Sequence, residues 1–253
     1  MNNNIWVENI DCIKFLKKLP DKSIDLILTD PPFGINEKQF DNIHYSRNQK
    51  LVIDGYCEAP KKIDYEKWCF SWIKELDRVL KDNASCFIFS SWNNVAKMEN
   101  AINQTKKFKI INHLIWHYNF GVFTKNKFVS SHYHILFFSK IKSKRFFNNN
   151  INNNLFNTSK MIYNDLQDVI KINKEFHKNK IKNANKLPDE LIKKLILHTT
   201  KKNDVVLDIF SGNFTTQIQA LKLGRKAWGS EINKKAFELA KIKLKYYAEE
   251  IEK

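Results

Sequence analysis

Residues 24–33 read Ile24-Asp25-Leu26-Ile27-Leu28-Thr29-Asp30-Pro31-Pro32-Phe33, and the fold turns on them. The apolar run from Ile24 to Leu28 has the length and composition of a buried strand. Asp30, two prolines and an aromatic ring follow at its carboxyl end, the edge where open α/β sheets bind ligands. The prolines fix φ and remove two backbone donors, so the turn is stiff and its carbonyls stay free to accept. An acid, a free carbonyl and a flat ring suit a planar group that carries an amine. A proline-terminated strand with an incidental acid would look the same, so the rest of the chain decides.

Ahead of this strand, Ile5 to Val7 reads as a short strand and Asp11 to Leu19 as a short helix. Pro20-Asp21-Lys22-Ser23 forms a turn. Residues 34–63 are polar and basic, with Arg47, Lys50, Lys61 and Lys62, and a loop of that length is usually functional or mobile. Tyr65 to Leu80 carries Trp68, Trp72, Ile73, Leu76, Val79 and Leu80 at helical spacing, a stripe that suits core packing. Ser85 to Phe89 reads as a buried strand ending in Ser90-Ser91-Trp92, and Asn94 to Thr105 as a helix. Ile110 to Trp116 and His134 to Ser139 read as strands, joined by an aromatic and basic loop, Tyr118 to Lys125. His132 and His134 flank Tyr133, and half-buried structural histidines are the commoner use of such a pair.

From Lys140 to Asn157 the chain turns rich in Lys, Arg and Asn, with Phe146, Phe147 and Phe156 interspersed. This is an exposed insertion or compositional drift. Pro188 to Thr199 reads as a helix with Pro188 in its first turn and Asp189 and Glu190 near its positive end. Val205 to Leu207 is then a strand, Thr215 to Leu223 a helix, Lys226 to Gly229 a strand and Lys234 to Tyr247 a final helix. Strands alternating with helices predict an α/β fold with a doubly wound, mostly parallel sheet.

The 253 residues can bury a sizeable core, and only 6 Gly and 5 Pro argue against a linker-rich architecture. The 43 Lys+Arg against 27 Asp+Glu give a net charge of +16. Such an excess points to a polyanionic partner, most simply nucleic acid, although an AT-rich genome would also enrich Lys and Asn. Cys12, Cys57, Cys69 and Cys86 form no CxxC pair and lack His at ligand spacing, which argues against zinc and for a reduced, cytoplasmic protein. No basic-then-apolar leader pattern opens the chain, and no apolar run reaches membrane-spanning length.

A second constellation lies at Asp208-Ile209-Phe210-Ser211-Gly212-Asn213-Phe214-Thr215-Thr216, between a strand and a helix. Backbone N–H groups at such a helix start bind anions. Glu231, about twenty residues on, ends the next strand, where an acid can accept both hydroxyls of a ribose. Two surface carboxylates on strand ends would give the same pattern.

Taken together, these residues make the chain similar to amino-group DNA methyltransferases of the β group, which use S-adenosylmethionine. The family's Asp/Asn/Ser-Pro-Pro-aromatic catalytic pattern is matched by Asp30, Pro31, Pro32 and Phe33. Its Asp-Pro-Phe-x-Gly-Ser-Gly-Thr-Thr cofactor pattern is matched by Asp208, Phe210, Gly212, Thr215 and Thr216, with Asn213 in the turn and Glu231 as the downstream acid. Asp11 and Cys12 match the Asp-Cys pair that lines the adenine pocket of the cofactor. Asn185-Lys186-Leu187-Pro188 matches the family's His-Pro-Thr-x-Lys-Pro segment only loosely. Catalytic motif first and cofactor motif last is the permuted order of that group.

Ile209 stands where the family has Pro, and Asn213-Phe214 where it has Ser-Gly. Phe214 is not expected to take a positive φ cheaply, so the loop should turn differently or rely on Gly212 and Asn213.

The resemblance implies a Rossmann-like methyltransferase domain whose catalytic half is 1–139 and whose cofactor half is 185–253, with 140–184 as the target-recognition segment. It implies methyl transfer to an exocyclic amine of a flipped base in double-stranded DNA. Asp30 and the Pro31 carbonyl would accept the amine N–H bonds, and Phe33 would stack on the base. No metal is required. Lys125, Lys127, Lys142, Lys144 and Arg145 are the candidate phosphate contacts. An acid at position 30 favours N6 of adenine over N4 of cytosine. An inactive DNA-binding homologue, or methylation of RNA or protein glutamine, are the other readings. A cognate restriction endonuclease and a homodimer are further expectations from the resemblance.

Overall fold

Asp11 caps α1 (Cys12–Lys18): its carboxylate accepts from the backbone N–H of Ile13 and Lys14 at 3.0 and 3.2 Å. The helix follows β1 (Ile5–Glu8) and leads into β2 (Ile24–Thr29), which is buried along its whole length. The computed structural model describes residues 4–34, 64–119, 121, 125–149, 166–174 and 186–251. The anticipated basic loop beyond Gly34, with Arg47, Lys50, Lys61 and Lys62, lies outside the described residues. So do Phe120, residues 122–124, residues 150–165 and residues 175–185.

Asp64 caps α2 (Tyr65–Val79) through Glu66 N and Lys67 N, and the predicted stripe of Trp72, Ile73, Leu76 and Val79 is buried. The chain leaves α2 straight into β3 (Leu80–Ser90), five residues before the predicted start. Then come α3 (Val95–Gln104), β4 (Phe108–His117), β5 (His132–Lys140) and β6 (Val169–Lys171). The cofactor half runs α4 (Asp189–Thr199), β7 (Val205–Asp208), α5 (Thr215–Lys222), β8 (Lys226–Ser230) and α6 (Lys234–Ile251).

The eight strands form one sheet in the order β1-β8-β7-β2-β3-β5-β4-β6. All neighbours are parallel except β5, which runs antiparallel to both β3 and β4. The expected mostly parallel, doubly wound α/β sheet is therefore present. One face packs Phe15, Leu16, Trp72, Leu76 and Met98 over Ile27, Ile88 and Leu207. The other packs Leu191, Ile196, Phe214, Phe237 and Leu244 over Leu26, Leu28 and Val206. Three-residue β6 was not anticipated, because it is too short to show a period of two.

Buried polar groups set the register. Asp25 on β2 binds Lys81 Nζ at 2.7 Å and accepts from Val205 N at 2.9 Å, so one carboxylate ties β2 to β3 and β7. Arg78 donates to the carbonyls of Leu16 and Leu19 at 2.6 and 2.7 Å and to Asp21. It thereby closes the carboxyl end of α1 with a fork that a lysine lacks.

The basic stretch after Lys140 departs from a plain insertion in its described part. Phe147 stacks on His198 at 5.5 Å, and Asn148 N donates to the His198 carbonyl at 2.7 Å. The aromatics of this stretch thus use the carboxyl end of α4 as a packing surface.

Replacing Arg78 with Met should lower stability by about 2 kcal/mol, and Arg78→Lys should recover less than half of that loss. Urea unfolding midpoints measure both. Equal recovery by Lys would contradict the role of the forked guanidinium.

Candidate active site

The carboxyl ends of β2, β7 and β8 lie side by side, so Asp30, Asp208 and Glu231 issue from one sheet edge. Thr29 Oγ1 donates to Asp208 Oδ1 at 2.6 Å and ties the two motif-bearing strands at that edge.

The turn after β2 is held from three sides. Tyr65 OH donates to the Pro32 carbonyl at 3.0 Å, and Asn94 Nδ2 to the Phe33 carbonyl at 2.6 Å. Gly34 has φ +66°, and a Cβ there would overlap the Tyr65 ring, so a larger residue is excluded on both counts. Among the described residues no donor reaches the Pro31 carbonyl. Asp30 is half-buried. The Phe33 ring is 8% exposed and packs edge-on against Tyr133, with centroids 5.1 Å apart. Tyr133 in turn meets Trp116 at 5.4 Å and Tyr118 at 5.7 Å. The structure therefore places an aromatic wall beside Asp30 that the motif alone does not reveal. The wall alternates with His132 and His134 along β5, and this alternation of period two was its only signal.

The histidines take the other side: His134 Nδ1 lies 2.7 Å from His113 Nε2, and the His132 and His134 rings are 4.9 Å apart. Burial, then the neighbouring His113 and His132, holds the His134 imidazole down to about 4. His134 is a neutral structural group and not a base in the site.

The loop after β7 is welded to β8. Ser211 N donates to the Ser230 carbonyl, Ser211 Oγ to the Asp208 carbonyl and Gln217 Nε2 to Ser211 Oγ. A Cβ at Gly229 would collide with Gln217, Ser211 and the Asp208 carbonyl. Glu231 accepts from Gly212 N and Asn233 N, both at 2.8 Å, which closes the loop over the end of β8. Burial raises the Glu231 carboxyl above its ordinary value. Phe210 lies against Trp68 and Trp72, and Asn213 and Thr215 are partly exposed at the loop mouth.

Phe214 corrects an expectation. It does adopt the left-handed conformation, at φ +58°, directly after Gly212 at +47°. That conformation costs about 1–2 kcal/mol for a residue with a Cβ. Full burial of the ring against Phe237, at 5.6 Å, contributes about 1.5–3 kcal/mol, enough to offset it. The aromatic ring thus replaces a glycine's freedom with packing.

Asp208 is buried and accepts from Thr29 Oγ1, Phe210 N and Thr216. Burial nevertheless raises its carboxyl to about 6, the hydrogen bonds from Thr29 and Phe210 opposing the shift. Asp11 serves as the α1 cap, and Cys12 sits in the core with its thiol pushed up to about 12 by burial. Cys12 is therefore an inert wall. Lys125 and Lys127 are exposed on the β4–β5 connection, and Lys142 and Lys144 on the segment after β5. Arg145 is different: its guanidinium lies 5.5 Å over the Phe137 ring, which turns it inward from the surface expected of a phosphate contact.

A family model described as DNA methylase, covering N6 and N4 enzymes, matches residues 24–242. The chain belongs to this family. The DNA methylase is 31% identical to the Type II methyltransferase M.HinfI of Haemophilus influenzae over 93% of its own length and 67% of the relative. It is 29% identical to the DNA adenine methyltransferase YhdJ of Escherichia coli K12, over 96% and 85% of the two chains. Among solved structures, it superposes on the DNA modification methylase TTHA0409 of Thermus thermophilus, complexed with S-adenosyl-L-methionine. The TM-score is 0.69 at 20% identity, over 96% and 93% of the chains, a likeness of fold.

The raised Asp208 carboxyl gives a pH test. Its folded value of about 6 exceeds the ordinary 3.8, so the folded protein binds this proton more tightly. Stability from this group is present below pH 4 and is lost as pH rises through 6, to a limit of about 3 kcal/mol. Asp208→Asn should therefore be more stable than the parent protein at pH 7.5 and nearly equal at pH 4, as read by thermal unfolding without cofactor. A stability difference independent of pH would contradict the shift.

Proposed function

We propose that this DNA methylase transfers a methyl group from S-adenosylmethionine to the N6 amine of adenine at a specific site in duplex DNA. The observation that carries the reading is the single sheet edge on which the stiff Asp30 turn meets the Asp208–Glu231 loop, joined by the Thr29–Asp208 bond. The cofactor's chemistry fits that edge. Its amino-acid end is cationic at nitrogen and sulfur, and Asp208 is a buried acid whose charge lacks a cation. Its ribose offers two hydroxyl donors, and each Glu231 oxygen has a second lone pair beyond the backbone N–H it already accepts. Asp208, Gly212 and Glu231 would hold the cofactor, with Asp11 and Cys12 walling its base by way of the α1 start. When bound, it supplies an electrophilic methyl group on sulfur.

The protein's own residues do the rest. A base-conjugated amine is a poor nucleophile, because its lone pair is delocalised into the ring. Asp30 accepts one amine N–H and the Pro31 carbonyl the other, which draws the nitrogen toward tetrahedral geometry and aims its lone pair outward. Tyr65, Asn94 and Gly34 fix those acceptors in advance, so little reorganisation accompanies the transfer. The nitrogen's surplus proton leaves to Asp30 and then to solvent. The target base must leave the duplex at a cost of a few kcal/mol, and the rings of Phe33 and Tyr133 return stacking of about 1–3 kcal/mol. Lys125, Lys127, Lys142 and Lys144 contact phosphates and position the duplex.

Adenine is supported by the naming of YhdJ as a DNA adenine methyltransferase and by the acid at position 30. The second reading is N4 of cytosine, since the family covers both amines and the chemistry is shared. A cognate restriction endonuclease fits the Type II designation of M.HinfI, and a homodimer and a cytoplasmic setting belong to the same reading. None of the helices in the described residues is long and apolar enough to cross a membrane.

Expression in a methylation-deficient host, followed by single-molecule sequencing of its genome, should show N6-methyladenine at one short motif. N4-methylcytosine at one motif would establish the second reading. An unmodified genome together with no calorimetric S-adenosylmethionine binding would leave only an inactive DNA-binding role.

A further inference from the structure

Lys174 is a charged side chain in an unusual place. It lies three residues past β6, at the outer edge of the sheet. Its ammonium sits 4.2 Å from the centre of the Tyr118 ring, 5.0 Å from Tyr133 and 5.9 Å from Trp116. All three distances fall within cation–π range. Its electrostatic partner is Asp30, the acid of the catalytic turn. These rings continue the wall that Phe33 begins. One nitrogen cation thus occupies the space bounded by the acid and the aromatic faces.

That space has two incompatible uses. Ring faces that attract a cation also stack on a flat base, and an acid that pairs with an ammonium also accepts from an amine. A base cannot share Tyr118 and Tyr133 with an ammonium already about one van der Waals contact from the first ring. Charge adds a second conflict. The target nitrogen gains positive character as it takes the methyl group, so a fixed cation beside it opposes the transfer. Lys174 must therefore be absent from this position when the reaction occurs.

We propose that Lys174 is a positioning residue that holds the target-base pocket: its ammonium stands in for the target amine against Asp30 and the rings until a flipped base displaces it. The inference rests on the reading of Asp30 as the amine acceptor. The anchoring of the segment fits an exchange by side-chain rotation. Ile172 N donates to the His117 carbonyl at 3.1 Å, and Trp116 Nε1 donates to the Ile172 carbonyl at 2.8 Å. The backbone is pinned two residues before Lys174, while the four-carbon stem retains its rotamers. Burial also lowers the ammonium's proton affinity, with Asp30 opposing, so release to water regains solvation. Before the base arrives, the cation keeps Asp30 ionised and the rings apart. A specificity consequence follows: only a base that supplies both an amine for Asp30 and a flat face for the rings replaces what Lys174 gives up.

Lysine-selective reductive methylation read by mass spectrometry tests this on the full chain. The sites compared are Lys174 and the exposed Lys125 and Lys142. In the DNA-free protein Lys174 should label about tenfold more slowly than Lys125. Adding S-adenosylhomocysteine and a duplex that carries the methylated motif found by sequencing should raise Lys174 labelling several-fold while lowering that of Lys125 and Lys142. A duplex without the motif should leave Lys174 unchanged. Lys174→Met should lower the KM for DNA about fivefold, because the pocket no longer has a resident to displace. Continued protection of Lys174 in the specific complex, or a raised KM in Lys174→Met, would overturn the proposal. Either result in a protein that still methylates its motif rejects the role of Lys174 alone, whereas loss of methylation by the parent protein rejects the reading beneath it.

Discussion

The parallel pairing of β2 with β7, closed by the Thr29–Asp208 hydrogen bond, is the constraint on which the site depends. It joins residues 179 positions apart and sets an amine-accepting turn beside a loop suited to a cationic cofactor. Asp25 supports the same junction from the opposite end of β2, through Lys81 on β3 and Val205 on β7. Two carboxylates, one at each end of this junction, thus fix the central strand to its neighbours. The desolvation that this costs is offset by full hydrogen bonding, the usual condition for a buried acid.

Rigidity at the edge comes from chemistry with little tolerance. Gly34 and Gly229 stand where a Cβ has no room, and Phe214 holds a left-handed turn only because its ring is buried. The Asp30 turn is stiffened by prolines within and by Tyr65 and Asn94 from without. A methyl transfer driven by positioning needs such preorganisation more than it needs an acid or base of tuned strength. The exception is Asp208, where burial has stored an electrostatic cost that a cation would relieve.

Much of this was legible in the sequence because it is local. The strand Ile24 to Leu28, the proline turn, the α2 stripe and the strand–loop–helix at Asp208 each carry their signal within ten or fifteen residues. The parallel order followed from helices alternating with strands. What escaped depends on pairing across long separations. Trp116, Tyr118 and Tyr133 form a wall only once β4 and β5 are in register, and Lys174 joins it only through three-residue β6. Asn94 and Tyr65 look like ordinary helix-start residues until the turn carbonyls reach them. Phe214 was misread because backbone preference was weighed without the burial that overrides it. Arg145 was assigned to a phosphate on charge alone, whereas its guanidinium packs on Phe137.

The central claim is that Asp30 acts on the amine while a separate part of the same edge holds the cofactor. Asp30→Ala separates the two functions, with S-adenosylmethionine binding measured by calorimetry and single-turnover methylation measured on a duplex carrying the motif. The account predicts a rate reduced by at least about a thousandfold and a cofactor Kd changed by no more than about threefold, under about 1 kcal/mol. Methylation by the alanine variant at a rate near that of the parent protein would contradict it.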